Sequence, residues 1–321
     1  MTSRPRATPF PDFFIVGAPK CGTTAMYDYL RQHPQVFMPF HKEPLYFGDD
    51  LTHRYGRMSE PEYRALFANA RPDQRVGEAS AWYLYSASAA REIEAASPEA
   101  SIIVMLRNPI DVMHAQHSQL LFSHQEDVED FEEALGLESA RRDGRHLPGG
   151  TFRPENLFYR RMVGFAEQLE RYFEVFGRDR VHVIIHEDLR ADLRGTYRDT
   201  LRFLGVDDGF APDFQAANVN KRVRNRRMQS LIWNPPVLRR MIPRLRRYRL
   251  VHSLRARLLA LNSTEVSRDA IDPALRSRLQ VEMAPEVARL GHLLGRDLSS
   301  WVEIVPAVEP TSQEPALRTT R

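Results

Sequence analysis

The stretch DFFIVGAPKCGTTAMYDYL, residues 12–30, constrains the fold more than any other part of this chain. A short apolar run ends at Gly17, Gly22 follows at the G-x-x-x-x-G spacing of a phosphate-binding loop, and helical spacing then takes over. A strand, a glycine-bounded loop and a helix start aim backbone N–H groups at one spot, which suits an anion. The usual nucleotide loop places lysine directly after its second glycine. Here Thr23 and Thr24 stand there, and the loop's cation is Lys20, in its middle. That position brings the charge to the anion from another side.

The rest of the chain repeats the strand–helix alternation. QRVGEAS (74–80), SIIVML (101–106) and RVHVIIHE (180–187) read as strands. SIIVML is a continuous apolar run rich in β-branched residues, the pattern of a strand buried on both faces. SEPEYRALFANA carries Ser59 and Glu62 at capping-box spacing. DFEEALGLESARR, NLFYRRMVGFAEQLERYFEVF, TYRDTLRFLG (ending on Gly205 as a C-cap) and Pro273–Leu294 have helical periodicity. The expected architecture is α/β: a single domain with a central parallel sheet flanked by helices. It should span 11–305, between tails at 1–10 and 306–321. In such sheets ligands bind beyond the carboxyl ends of the strands, where 17–24, 77–83 and 107–118 all fall.

The chain has 321 residues, 42% of them hydrophobic, and one cysteine, Cys21, so no intrachain disulfide forms. No apolar run approaches the length of a membrane span, and the first residues lack a signal peptide's apolar stretch. A cytoplasmic setting is expected. The net charge of +3 hides an asymmetry: residues 214–264 hold no acidic residue, and 13 of the 45 basic residues lie between Lys221 and Arg257. That leaves 32 basic against 42 acidic residues elsewhere. The basic segment reads as a lid over 221–260, either packed on the core or making peripheral contact with an anionic glycan or membrane surface. Its aromatics are not interleaved as stacking platforms, so no nucleic acid is expected.

Several groups suit chemistry. HKEPLYF places Glu43 before a proline, which keeps it out of helical geometry and in a loop or strand end. Glu43 either acts as a base or pairs on the surface with Lys42 or an arginine. Glu78 ends a strand on the same sheet edge, followed by Trp82 and Tyr83, which either line a substrate pocket or pack. Arg107 leaves the most buried strand, with Pro109 starting a helix and Asp111 in its first turn. Cys21, in an anion-binding loop, is expected to have a lowered thiol pKa and to block nucleotide binding when oxidised or alkylated.

Together, FFIVGAPKCGTTAMYDYL, KEPLYF, GEASAWYLYS, IVMLRNPIDVMHAQ, FEEAL and HEDL resemble, in order and spacing over roughly residues 12–205, the sulfotransferases that use 3′-phosphoadenosine 5′-phosphosulfate (PAPS). The carbohydrate-modifying, heparan sulfate-type branch is the nearest likeness. The resemblance implies the P-loop-NTPase-like sulfotransferase fold. Ala18, Pro19, Lys20, Cys21, Gly22, Thr23 and Thr24 would hold the 5′-phosphate, with Lys20 on the leaving oxygen. Arg107 would grip the 3′-phosphate. The family's serine eight residues later is Ala115 here, so Ser118, one turn further, is the substitute. Lys221 and Arg222 are further candidates for the nucleotide. Glu43 matches the branch's base, with Lys42 assisting, and His41 is the other candidate. Glu78, Trp82 and Tyr83 would meet the acceptor, a hydroxyl on a carbohydrate, lipid-linked sugar or small metabolite. No metal is expected. The expectation is a bacterial-type, PAPS-dependent sulfotransferase. The rivals are an ATP/Mg²⁺ kinase, for which VHVIIHED ending at Asp188 gives a Walker-B-like run, and a non-catalytic nucleotide- or membrane-binding relative. Acceptor identity and oligomeric state are not legible.

Overall fold

The computed structural model describes residues 10–52, 56–214, 221–223, 263–265 and 269–303. Five strands form one parallel sheet in the order β2-β3-β1-β4-β5: β1 Phe13–Gly17, β2 Val36–Phe37, β3 Arg75–Ala79, β4 Ser101–Leu106 and β5 Val181–Ile185. β1 lies at the centre, with Phe13 in register with Gly77 of β3 on one side and Ser101 of β4 on the other. Phe13 to Val16 and Ile102 to Leu106 are fully buried, as continuous apolar runs require when helices cover both faces. Of the five strands of this sheet, the sequence reading missed only β2, two residues long.

The helices are α1 Thr23–Leu30, α2 Glu60–Ala65, α3 Ala89–Ala96, α4 Pro109–Phe122, α5 Phe131–Gly136, α6 Glu138–Arg142, α7 Tyr159–Met162, α8 Phe165–Phe176, α9 His186–Ala191, α10 Leu193–Leu204 and α11 Pro273–Leu294. At α2 the expected capping box forms: the Ser59 N–H donates to Glu62 Oε2 at 3.1 Å, and the Ser59 side chain accepts from the Glu62 N–H. α10 ends on Gly205 at φ 68°, the left-handed cap. Two expected long helices are broken. DFEEALGLESARR splits into α5 and α6. The Asn156–Phe176 stretch splits at Val163 and Gly164 into α7 and α8, where Gly164 takes a non-helical ψ of 62°.

A short antiparallel pair, β6 Lys221–Val223 with β7 Ser263–Glu265, stands apart from the main sheet. The remainder of the basic segment, its expected lid and surface contacts, and residues 1–9 and 304–321 lie outside the described residues, as do the side chains of Lys221 and Arg222. No helix among the described residues is long and apolar enough to cross a membrane.

Candidate active site

The strand order reverses around β1, and the loop after β1 sits at that switch point. The Ala18 N–H donates to Met105 O at 2.7 Å, and Leu84 N–H donates to Val16 O at 2.7 Å, so β4 and the turn after β3 tie down the end of β1 and the loop from both sides. Gly17 is required by proximity: a Cβ there would lie 2.5 Å from Leu84 Cβ. Gly22 caps α1 at φ 97°, a conformation costly for any side chain. α1 carries no side-chain cap and no acidic residue in its first turn, so its opening N–H groups face the loop with the positive end of the helix dipole behind them. Thr23 is buried and Thr24 half-buried. Lys20 sits at φ 66° in the left-handed region, and its Nζ reaches Gln119 Oε1 of α4 at 3.4 Å. Strained non-glycine residues of this kind collect at functional sites.

Cys21 corrects an expectation. It is fully buried, its Sγ faces Pro19 O at 3.5 Å, and burial pushes its thiol far up, overcoming the cations Arg107 and Lys20. A position beside a helix start lowers a thiol pKa only where the thiolate can be solvated or paired. Here it points into the core.

Arg107 leaves β4 half-buried. Its Nη2 lies 3.5 Å from Asp111 Oδ2, and Arg276 of α11 holds the other Asp111 oxygen at 2.8 Å. Asp111 is thus shared by two arginines. His186, at the start of α9, lies against the loop: its Cδ2 is 3.6 Å from where a Gly22 Cβ would stand. Burial and then the Arg107 and Arg190 charges hold its imidazole down at about 4. Ser118 donates its hydroxyl to His114 O at 3.0 Å, back along α4, while Ala115 is buried. The Walker-B-like reading fails on geometry: β5 ends at Ile185, and Asp188 lies in the first turn of α9, held by both terminal nitrogens of Arg296, one at 2.6 Å.

The next sheet edge carries the carboxylates. Glu43 sits at φ 61° in the loop before Pro44. Its N–H donates to Ala79 O at 3.0 Å, its Oε2 accepts from Ala81 N–H at 3.0 Å, and its Oε1 takes Lys42 Nζ at 2.6 Å. The expected Lys42 pair therefore exists, but within a clamp at the end of β3, the strand beside β1. Glu43 keeps about a third of its side chain exposed, 34%. Glu78 does not. It is fully buried and cannot meet a bound acceptor, contrary to the expectation. Tyr63 and Tyr83 hydroxyls both donate to its Oε2, at 2.8 and 2.9 Å, and its Oε1 has no hydrogen-bond partner. Burial pushes the Glu78 carboxyl up to about 7 against the pull of the Ser80, Tyr63 and Tyr83 hydroxyls, and the charge of Glu43 adds to the rise. Tyr83 is equally buried. Its oxygen accepts from the Tyr46 and Phe47 N–H groups at 2.9 and 3.2 Å, and Ser80 Oγ accepts from Leu45 N–H at 3.2 Å. These two residues hold the loop that carries Glu43.

Trp82 is 9% exposed and directly follows the Ala81 that clamps Glu43. Over its ring, 5.4 Å from the centroid, lies the guanidinium of Arg153. Sequence reasoning missed Arg153, and also Tyr63 and His186. Nothing in their local spacing marks them, because each acts through partners far along the chain.

A family model described as a sulfotransferase domain matches residues 10–231. The crystal structure of a sulfotransferase from Alicyclobacillus acidocaldarius superposes with a TM-score of 0.68 at 30% identity, covering 92% of this chain and 99% of that one. Among curated proteins, mouse (Mus musculus) carbohydrate sulfotransferase 15 is 29% identical over 249 residues, 61% of this chain and 44% of that protein. Human heparan sulfate glucosamine 3-O-sulfotransferase 6 is 33% identical over 121 residues, 38% of this chain and 34% of that protein. The chain belongs to the sulfotransferase family. It spans less than half the length of these curated relatives.

Proposed function

We propose that this protein transfers a sulfuryl group from PAPS to a hydroxyl of a carbohydrate acceptor, with Glu43 as the base. The carrying observation is the pairing of two edges. The lysine-bearing anion loop ends β1, and Glu43, clamped by Ala79 O and Ala81 N–H, stands at the end of its neighbour β3. Family membership and relatives named as carbohydrate and heparan sulfate sulfotransferases support both the donor and the acceptor class.

The residues present fit the donor. The α1 start and the Gly22 turn offer N–H groups to the 5′-phosphate, with Thr23 and Thr24 hydroxyls beside them. Arg107, at the next strand end, offers a planar fork to the 3′-phosphate. PAPS supplies an activated sulfuryl group on a phosphate leaving group. Lys20 would place its charge near the leaving oxygen, where it would act more strongly in the transition state than in the ground state. Glu43 Oε2 or Oε1 takes the acceptor proton as the hydroxyl attacks. Lys42 keeps that carboxylate oriented through its 2.6 Å contact with Oε1.

A thermal-shift titration tests the donor side. The desulfated 3′-phosphorylated nucleotide (PAP) should stabilise the protein without Mg²⁺, by ~2.7 kcal/mol at ~100 Kd. Arg107→Ala should weaken its binding by roughly 10- to 100-fold, the worth of a charged hydrogen-bonded contact. Stabilisation by ATP–Mg²⁺ alone would make the protein a kinase instead.

A further inference from the structure

The loop that carries Glu43 is held in a shape it would not keep by itself. Glu43 at φ 61° and Leu45 at φ 52° both lie in the left-handed region, with Pro44 between them. Non-glycine residues persist there only where their surroundings over-determine them. Here one short run of chain, residues 79–83, does so. Ala79 O accepts from Glu43 N–H, and Ala81 N–H donates to the Glu43 carboxylate. Ser80 Oγ accepts from Leu45 N–H, and the Tyr83 hydroxyl oxygen accepts from Tyr46 and Phe47 N–H.

Directly before this run stands Glu78, fully buried and used by no step of the proposed transfer. A hydroxyl oxygen that accepts from two amides must send its own proton elsewhere. Tyr83 sends it to Glu78 Oε2, at 2.9 Å. Tyr63 donates to the same oxygen at 2.8 Å, and its ring stacks on Tyr46 at 4.2 Å between centroids. One carboxyl oxygen therefore braces the Tyr46 and Phe47 amides through Tyr83 and the Tyr46 ring through Tyr63. Glu78 Oε1 has no hydrogen-bond partner, so a permanent anion would be poorly matched in this core. The titratable groups that feel its charge are Tyr63 of α2, Tyr83, Tyr172 of α8 and Glu43.

We propose that Glu78 is a positioning residue for the base: acting through the Tyr83 and Tyr63 hydroxyls, it fixes the loop that points the Glu43 carboxylate at the acceptor hydroxyl. This inference rests on the reading of Glu43 as the base. Neutral or ionised, Glu78 can accept from both tyrosines, so positioning survives its titration, which burial moves up to about 7. What titration changes is the field at Glu43. A negative charge beside a carboxylate makes it the stronger base, so proton transfer to Glu43 eases as Glu78 ionises. Turnover therefore climbs again as pH rises through that range, where an isolated base would have reached a plateau.

The test uses the full chain with two readouts. One is kcat with PAPS and p-nitrophenyl β-D-glucoside. The other, which needs no acceptor, is hydrogen exchange of the 43–47 segment against the 17–24 loop. Glu78→Met removes the shared acceptor. Tyr83→Phe removes only the relaying hydroxyl, and it carries the test if the methionine variant does not fold. Each should lower kcat by about 10- to 100-fold, the cost of a misplaced group, with KM for PAPS within about twofold. Each should also speed exchange at 43–47 by about tenfold or more and leave 17–24 as in wild type. Glu78→Gln keeps the acceptor without the charge. Its kcat at pH 6 should return to within about twofold of wild type and then level off, while wild type climbs a further ~3-fold or more to pH 8. Unchanged exchange at 43–47 in Tyr83→Phe overturns the proposal. So does equal loosening of both segments, which would make Glu78 a core group with no particular hold on the base. Failure of Glu78→Gln to restore kcat at pH 6 overturns it too, and a pH profile identical to wild type overturns the coupling to Glu43. If the glucoside is not sulfated, the exchange arm decides by the same criteria. Full turnover in Glu43→Gln would sink the base reading, and with it the role of Glu78, even where exchange shows the loop to be held.

Discussion

The two sheet edges proposed to hold the donor and the acceptor are built by different means. The donor edge is local and made of backbone: one loop between Gly17 and Gly22, a bare helix start and one arginine leaving the adjacent strand. The acceptor edge is assembled from distant side chains. Tyr63 on α2, Glu78 on β3 and Tyr83 after it form one cluster that grips the 45–47 loop, and Arg153 reaches Trp82 from beyond α6. The contrast fits their tasks. A nucleotide is constant, so a short fixed loop suffices. An acceptor pocket is defined by side chains that can change without disturbing the fold.

If the two edges do separate jobs, a change to the base must leave the donor site intact. Glu43→Gln keeps the shape, and its oxygen can still accept from Ala81 N–H. It should lower kcat by ~10²–10⁴, the usual worth of a positioned base, while the nucleotide-induced thermal shift stays as in wild type. Equal loss of nucleotide binding would show that the edges are one energetic unit and break the comparison.

The acceptor scaffold should also be the pH-sensitive half. Glu78 titrates near 4.5 when unfolded and at about 7 in the fold, because burial disfavours its charge. Between these values the folded chain holds a proton that the unfolded chain has released. Stability from this group is therefore full below about pH 4.5 and is lost as pH rises through 7. Glu78→Gln is neutral throughout, and its carbonyl can accept from both tyrosines. Urea denaturation at pH 5 and pH 8 should show the variant gaining on wild type by up to ~3 kcal/mol, at ~1.36 kcal/mol per pKa unit. A constant difference across that range would mean that Glu78 stays ionised in the fold and that the cluster holds a true carboxylate.

How much of this was legible follows the same division. The loop positions of Gly17, Lys20 and Gly22 after β1, and of Arg107 after β4, could be read because each depends on spacing within its own strand–loop–helix unit, and the four long strands were legible from apolar runs alone. Glu43 was legible from its place before Pro44. Glu78 was recognisable as important but not as buried: strand position tells that a residue lies near the sheet edge, not which side of the last pleat it faces. The breaks at Val163–Gly164 and between α5 and α6 were hidden because helical periodicity runs straight through them. Arg153, Tyr63 and His186 left no local trace. Each is defined by a partner on another element, Trp82, Glu78 and the Gly22 turn respectively.

The smallest expected effect is on Cys21, where the local reading of the donor loop misled. Spacing put the thiol in an anion-binding turn, and a thiol exposed there would be activated. The fold instead turns its side chain into the core, where burial pushes its pKa far up and leaves it unreactive. Iodoacetamide at pH 8 should therefore label native protein only as fast as the chain unfolds, and bound PAP should slow labelling further in proportion to the stability it adds. Intact-mass measurement over several hours reads the rate, and urea above the unfolding midpoint gives the fully reactive reference. Labelling within minutes in native protein would mean that the donor loop opens by itself. The nucleotide edge would then be the mobile half of the site, and the acceptor edge, held by its buried tyrosines, the rigid one.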